Sequence, residues 1–363
     1  MRTCDDQDYL NSPEFRDALQ QYEDMMAGGP SAFLDAEELT DIAEYYLIHL
    51  EDQERARECN EYALSLYPGA TAPLIFQARQ HLLDNDLDTC QQLCDAIPEQ
   101  EDREVKFLNA EIMVRRKQQK QAFTYLLECS KAIEEDHDFF LFDAAYIFMD
   151  YNEYKMAYAM AEELLKIAPD WYRTWQIMAD SLLGLAAFDQ ALEYINKMLD
   201  IDPFCTETWD WASEAYSGTG KYEQAIEAAD YALAVNPEEA RALQLKGHAN
   251  LHLEAYEQAL KLYGQVLDIT PNDETTMAFI AYCHLCMGQL DKALQAIEEA
   301  EKLSGGKSPE QQMIYEQHAN VMAALERYDE AIDFINKAEA IGGCTNNDYD
   351  AIRQDFMRRK DEE

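Results

Sequence analysis

From about residue 138 onward, apolar and polar positions follow each other at the spacing of helices, not strands, and the whole pattern returns every 34 residues. Pro169, Pro203, Pro237 and Pro271 keep time for it. With Tyr172 as position 1 of a unit, large apolar residues recur at positions 4, 17 and 24, as in Trp175, Phe188 and Ile195. The neighbouring units repeat the theme with Trp209 and Tyr222, with Tyr256 and Tyr263, and with Leu290 and Ile297. Small residues fall at positions 8 and 20: Ala145 and Ala157, Ala179 and Ala191, Ser213 and Ala225, Gly247 and Ala259, Ala281 and Ala293.

Two antiparallel helices that cross closely need small residues where their axes approach, and large apolar side chains fill the space on either side. The pattern therefore predicts one helix pair per unit. Gly184 and Gly220 fall near the turn between the two helices. Asp189 and Asp291 open the second helix, where a negative charge suits the exposed N–H groups and the positive end of the dipole. The proline ends that helix, because it cannot donate to the ladder and restricts the residue before it.

So many in-phase positions resemble the tetratricopeptide repeat family. The resemblance implies an all-α fold, a right-handed α-solenoid (superhelix) of antiparallel helix pairs. Weaker copies extend it in both directions. Ala43, Ala56, Ala63 and Pro68 fit one unit; Ala78 and Cys90 a second, with Pro98 early; Ala110 and Ala122 a third, which lacks its proline. After Pro271 the register slips by about four residues through Ser304-Gly305-Gly306-Lys307-Ser308-Pro309, and Ala319, Tyr328, Ala331, Ile335 and Ala338 fit a last unit. About nine repeats over 37–345 are expected, most regular over 138–307, with an N-terminal capping helix region (1–36) and a C-terminal capping helix (346–363). Terminal repeats need covers because their outer face has no neighbour. Ser12-Pro13-Glu14 is a helix start followed by an apolar face of Phe15, Leu19, Tyr22 and Met26. Tyr349, Ile352 and Phe356 form another, ahead of Arg358-Arg359-Lys360.

Charge changes the picture next. The formal net charge is −43, which keeps an extended surface soluble and favours a basic partner. It disfavours nucleic acid, whose phosphates need clustered cations. Arg115-Arg116-Lys117 with Lys120 is the one basic cluster within the repeats, expected as a solvated turn. Nine cysteines are scattered, two of them as Cys283-His284-Leu285-Cys286 in mid-helix, and read as packed free thiols of a reducing compartment. The first residues, Met1-Arg2-Thr3-Cys4-Asp5-Asp6, lack the apolar stretch of a secretory signal, and no run is long enough to span a bilayer. A soluble, cytoplasmic protein without membrane contact is expected.

Candidate chemistry is sparse. There is no glycine-rich phosphate loop and no nucleophile elbow, so no catalytic residue and no cofactor is expected. His248 and His252 stand four apart on a first helix, a metal-ligand spacing, with Glu214 as the register equivalent of His248 one unit earlier. A metal-dependent enzyme or regulator built on that region is the alternative to a scaffold. Trp175 and Trp209 are expected in the core, Trp171 and Trp211 lie off that position, and Trp211 is placed to reach a groove.

The family resemblance also implies a binding surface, a concave face lined by first helices with contacts from positions 2, 5, 6, 9, 12 and 13. Here these are Phe139, Phe142, Tyr146 and Met149; Arg173, Gln176, Asp180 and Leu183; Asp210, Trp211 and Glu214; Arg241, Gln244, His248 and His252; and Ala278, Tyr282 and Leu285. Members that grip a C-terminal carboxylate need Lys, Asn and Arg at positions where this chain has Gln176, Asp180, Trp211, Arg241 and Leu245. Only Arg241 has a suitable charge. The expected partner is another protein, presenting a neutral or basic, partly hydrophobic peptide or a helix.

Overall fold

A computed structural model describes residues 10, 12–30, 33–133, 136–306, 308–342 and 349–362. Among the described residues the chain is all helix, an α-helical-repeat solenoid without strands. It divides into two compact units, Met1–Ile177 and Met178–Glu363. In the first unit α1 (Pro13–Met26) precedes the pairs α2/α3 (Ala36–Ile48, Gln53–Leu66), α4/α5 (Thr71–Leu83, Leu87–Ala96), α6/α7 (Arg103–Arg115, Gln119–Lys131) and α8/α9 (His137–Asp150, Tyr154–Ile167). The division falls within α10 (Tyr172–Gly184). The second unit continues with α11 (Phe188–Ile201), α12/α13 (Thr206–Gly218, Tyr222–Val235), α14/α15 (Ala240–His252, Tyr256–Ile269) and α16/α17 (Glu274–Cys286, Leu290–Ser304). It closes with α18/α19 (Gln311–Ala324, Tyr328–Gly342) and α20 (Tyr349–Asp361).

The small positions do what their size predicts. Ala145, Ala157, Ala179, Ala191, Ser213, Ala225, Ala259, Ala281 and Ala293 are all fully buried. Ser213 remains compatible with burial because its hydroxyl donates to the carbonyl of Ala225 (2.9 Å). Gly247 has a stricter reason. A Cβ there would stand 2.6 Å from Cε1 of Tyr263, the large buried residue at position 24 of the same unit.

Every pair turns through one residue of positive φ: Glu51, Asn85, Lys117, Asn152, Ala186, Gly220, Glu254, Gly288 and Glu326. Gly184, expected at the turn, is the last residue of α10 instead, and Ala186 takes the left-handed conformation at φ 55°. The following amide secures the turn: Ala187 N–H donates to the Leu182 carbonyl (2.8 Å) and Lys221 N–H to that of Tyr216 (2.9 Å). A left-handed L-residue costs about 1 kcal/mol, so these bonds and the packing behind them must outweigh it.

The prolines follow helices that end at Ile167, Ile201, Val235 and Ile269. Their carbonyls are used as well. The Trp175 indole N–H donates to Pro169 (2.8 Å) and that of Trp209 to Pro203 (2.9 Å). Trp175 is buried, but Trp209 is only half-buried and stacks on the exposed Tyr231 with ring centroids 4.5 Å apart. Asp189 lies in the first turn of α11 without capping it, and pairs with Lys221 (3.2 Å).

The irregular units owe their irregularity to length. The helix α5 has ten residues against fourteen in α9, which brings Pro98 early. Ala78, Cys90, Ala110 and Ala122 are nevertheless fully buried, which fixes the register there. The basic cluster lies at a solvated turn, with Arg116, Lys117 and Lys120 exposed, but its two arginines also reach the preceding repeat. Arg115 donates to the Leu82 carbonyl (3.0 Å) and Asn85 Oδ1 (3.2 Å); Arg116 donates to the Leu87 carbonyl (3.2 Å) and Asp88 (3.0 Å). A backbone carbonyl and a side chain of the preceding repeat thus meet each guanidinium group.

Ser12 caps α1, accepting from Phe15 N–H (3.1 Å). Phe15, Ala18 and Tyr22 are buried, whereas Met26 is 53% exposed and does not belong to the apolar face. At the other end Tyr349 and Phe356 are buried against α18 and α19, and Lys360 pairs with Asp329. Cys59, Cys90, Cys94 and Cys283 are buried free thiols, while Cys286 is exposed. Burial pushes the Cys59 thiol up to about 12. Cys4, Cys344 and Lys307 lie outside the described residues.

Candidate protein-interaction site

In the first unit the aromatic residues of α8 gather around an arginine. Phe139 is 38% exposed and meets Trp171 edge-on at 4.9 Å. Phe142 is tilted against Trp171 at 5.6 Å and edge-on to Tyr146 at 4.8 Å. The Arg173 guanidinium lies over Phe139, Phe142 and Trp171 at 5.4, 5.2 and 5.7 Å. Each such contact is worth about 0.5–1 kcal/mol at a wet site, so the arginine is held in place while its edge stays available. The sequence reading set Trp171 aside as out of phase. It sits in the loop before α10, where three-dimensional closeness to α8 is invisible to a position count. Phe142 is buried rather than groove-lining, and Gln176 and Met149 are half-buried.

A second arrangement in this unit was not anticipated. Arg79, which directly follows the small residue Ala78, pairs with Glu104 (3.0 Å) and Glu111 (3.2 Å) of the next repeat. Burial works against its charge, and Glu111, Glu104 and Glu44 hold it. The signal was present in the sequence: Arg79 and Glu111 each follow the small residue of their repeat, and Glu104 lies one turn and a half before its own.

In the second unit the corresponding face is acidic. Asp180 is half-buried and its carboxyl is pushed up to about 6, by burial first and then by Glu207 and Glu214. Asp210 is 7% exposed, and its Oδ1 has no hydrogen-bond partner. Burial, with the charges of Glu239, Glu207 and Glu214, lifts it to about 7, against the opposing pull of Arg241. Arg241 itself pairs with Glu214 (2.9 Å). Asp210 was expected on the groove surface and is buried beneath it. Trp211 and Glu214 are half-buried there, and Leu183 and Ala278 are buried. Glu207 was missed.

Further along, Gln244 is bound into the next repeat. Its amide donates to Asp273 (2.6 Å) and to Thr276 Oγ1 (3.0 Å), and Asp273 caps α16. His248 lies edge-on to Phe279 at 4.1 Å, with its Nε2 unpartnered, and burial, Arg241 and His252 depress it to about 4. His252 stacks on Tyr222 at 4.7 Å. Tyr282 and Leu285 are half-buried. Among the described residues no group of three His, Cys, Asp or Glu is placed to hold a metal ion, and Glu214, the ligand that register suggested, is engaged with Arg241. No described helix is long and apolar enough to cross a membrane.

Models of three families match parts of the sequence. Tetratricopeptide repeat matches residues 212–274; anaphase-promoting complex, cyclosome, subunit 3 matches 255–338; and ChAPs (Chs5p-Arf1p-binding proteins) matches 79–200. No curated protein is similar to the chain at a significant level. Among solved structures, a tetratricopeptide repeat protein from Parabacteroides merdae ATCC 43184 is 17% identical, with a TM-score of 0.59 over 70% of this chain and 98% of that one. PilW, a widely conserved type IV pilus biogenesis factor, is 18% identical, with a TM-score of 0.50 over 58% and 95%. Likeness at this level of identity shows the fold. Helix pairs locked at small residues, in an array that offers side chains from successive first helices, define a helical-repeat protein of the interaction-scaffold class. A tetratricopeptide repeat is matched at 212–274, and the fold is that of tetratricopeptide repeat proteins.

Proposed function

We propose that the chain is a non-enzymatic scaffold that binds an extended peptide or a helix of another protein along the faces of its first helices. The observation that carries this reading is the aromatic cluster of the first unit. Phe139, Trp171 and Arg173 form a rigid apolar surface with a charged edge, at positions that helix-pair packing does not require. Buried aromatic and arginine anchors are the residues that carry most interface energy. The acidic face of the second unit supports a basic partner segment over an acidic one. The buried free thiols support a reducing compartment, the cytoplasm, as the place of action.

Capture of partners from a soluble extract by the purified protein, followed by quantitative mass spectrometry, tests the reading. Changing Phe139, Trp171 and Arg173 to Ala together is expected to remove captured partners by more than tenfold. So is the combination of Asp180→Asn, Trp211→Ala and Glu214→Gln, for partners held by the second unit. A partner set unchanged by both variants contradicts the assignment of these faces.

A further inference from the structure

The strongest guide to what the acidic face binds is inside the protein itself. Arg79, Glu104 and Glu111 occupy three fixed places: the residue after the small position of one repeat, the residue six before the small position of the next, and the residue after it. Counting from Ala179 and Ser213, the same three places in the second unit hold Asp180, Glu207 and Glu214. The first unit thus has one guanidinium that donates to Glu104 and is ion-paired with Glu111. The second has a third carboxylate where the guanidinium would be.

Three mutually repelling carboxylates on adjacent helices are destabilising on their own. Their charges act on each other here, since Glu207 and Glu214 both oppose ionisation of Asp180. A fourth carboxylate lies deeper. Asp210 is 7% exposed, feels Glu207 and Glu214, and keeps Oδ1 without a hydrogen-bond partner. A buried carboxylate oxygen with no donor is rare and costly, and a donor from outside the chain relieves it only by parting the side chains that cover it. Among the described residues the nearest cation, Arg241, pairs with Glu214 from the rim.

We propose that Asp180, Glu207, Asp210 and Glu214 form a seat for one arginine side chain of a partner protein, whose guanidinium takes the part that Arg79 plays within the first unit. Arginine fits better than lysine because its planar fork carries several donors that can serve more than one carboxylate, and the Arg79 guanidinium already bridges Glu104 and Glu111 in the first unit. The seat rests on the scaffold reading above and gives it a partner chemistry: an exposed, arginine-bearing segment.

The test uses the full-length protein and capped ten-residue peptides of glycine, serine and leucine with one central arginine, lysine or citrulline. Binding is followed by NMR of the protein amides at 0.15 M salt. The arginine peptide is expected to shift amides of 206–214 and to bind at least tenfold more tightly than the citrulline peptide. Asp180→Arg, which fills the seat from within, is expected to weaken the arginine peptide more than tenfold, as is Glu207→Gln with Glu214→Gln. Glu223→Gln with Glu227→Gln, an equal loss of charge on the exposed side of α13, is expected to leave it within twofold. Equal binding of arginine and citrulline peptides, equal weakening by the control pair, or retention in Asp180→Arg overturns the proposal. A lysine peptide that binds as tightly as the arginine one overturns the choice of arginine. Failure here with partners still captured through Phe139 and Trp171 removes the seat and leaves the scaffold. A seated peptide with no captured partner removes the scaffold reading and leaves the seat.

Discussion

Arg79 and Asp180 stand at the same place in two repeats and face the same pair of neighbours, two glutamates from the following helix pair. In the first unit the triad is complete, with a cation between Glu104 and Glu111. In the second it is acid on acid on acid, with Asp210 buried below. The backbone of the repeat is indifferent to this exchange, since the small residues behind Arg79 and Asp180, Ala78 and Ala179, are both fully buried. What the pair teaches is that the repeat separates two tasks. Positions 8, 20 and 24 hold the helices together, and the neighbouring positions are free to carry either internal ion pairs or unsatisfied charge.

The largest effect that sharpens this contrast is expected at Arg79. Its replacement by Ala leaves the mostly buried Glu111 without its cation, and Glu111 is a carboxyl that burial alone already pushes up. A loss of about 2–3 kcal/mol is expected in urea unfolding of the first unit, less than for a fully buried pair because Arg79 is partly solvated. A change below about 0.5 kcal/mol would make the triad a surface contact of no consequence.

Next in size is the response of the second unit to pH. Asp180 and Asp210 are raised to about 6 and about 7, above their unfolded values, so folding favours their protonated forms. Their contribution is fully present below about pH 4 and is lost as pH rises through 6 and 7. The groups acting on them are Glu207, Glu214 and Glu239, with Arg241 opposing. His248, depressed to about 4, works the other way, since it disfavours the fold as pH falls below its unfolded value. The comparison with Asp210→Asn isolates the carboxylate. That variant is expected to be more stable than the parent by about 1–2 kcal/mol at pH 8 and equal to it at pH 4.5. A difference independent of pH would show that Asp210 does not titrate in this range.

The smallest effect separates the two glutamates of the first unit. Glu104 is 54% exposed and Glu111 only 14%. Glu104→Gln is expected to cost about 0.5 kcal/mol or less, and Glu111→Gln clearly more, in the same unfolding measurement. Equal costs would contradict the graded burial of the triad.

Most of the fold was legible in the sequence because it depends on size. Alanine, serine and glycine at the helix crossings, and a proline after most pairs, can be counted without knowing where side chains point. The turns were less legible. Their left-handed residue is Ala186 in one repeat and Gly220 in another, because hydrogen bonds to the preceding helix impose the conformation whichever residue is there. The candidate site was legible only in part. The place of Asp180 and Glu214 followed from register, but the burial of Asp210 and Phe142 did not, since a position on a helix does not say how far the next helix covers it. Trp171 and Glu207 escaped for the opposite reason. One lies outside the helix that was counted, and the other becomes informative only beside Arg79, in a stretch where the early Pro98 had blurred the count.

The central claim is that the second unit lacks within its own chain the cation that the first unit supplies to itself. The most direct measurement is the unfolding midpoint of Asp180→Arg at pH 8, set against Glu223→Arg, which makes the same change of charge at an exposed site of α13. If an arginine at 180 completes a triad with Glu207 and Glu214, the variant is more stable than the parent by about 1 kcal/mol beyond the control, and Glu207→Gln with Glu214→Gln abolishes that gain. A midpoint equal to the control's, or below the parent's, would contradict the account.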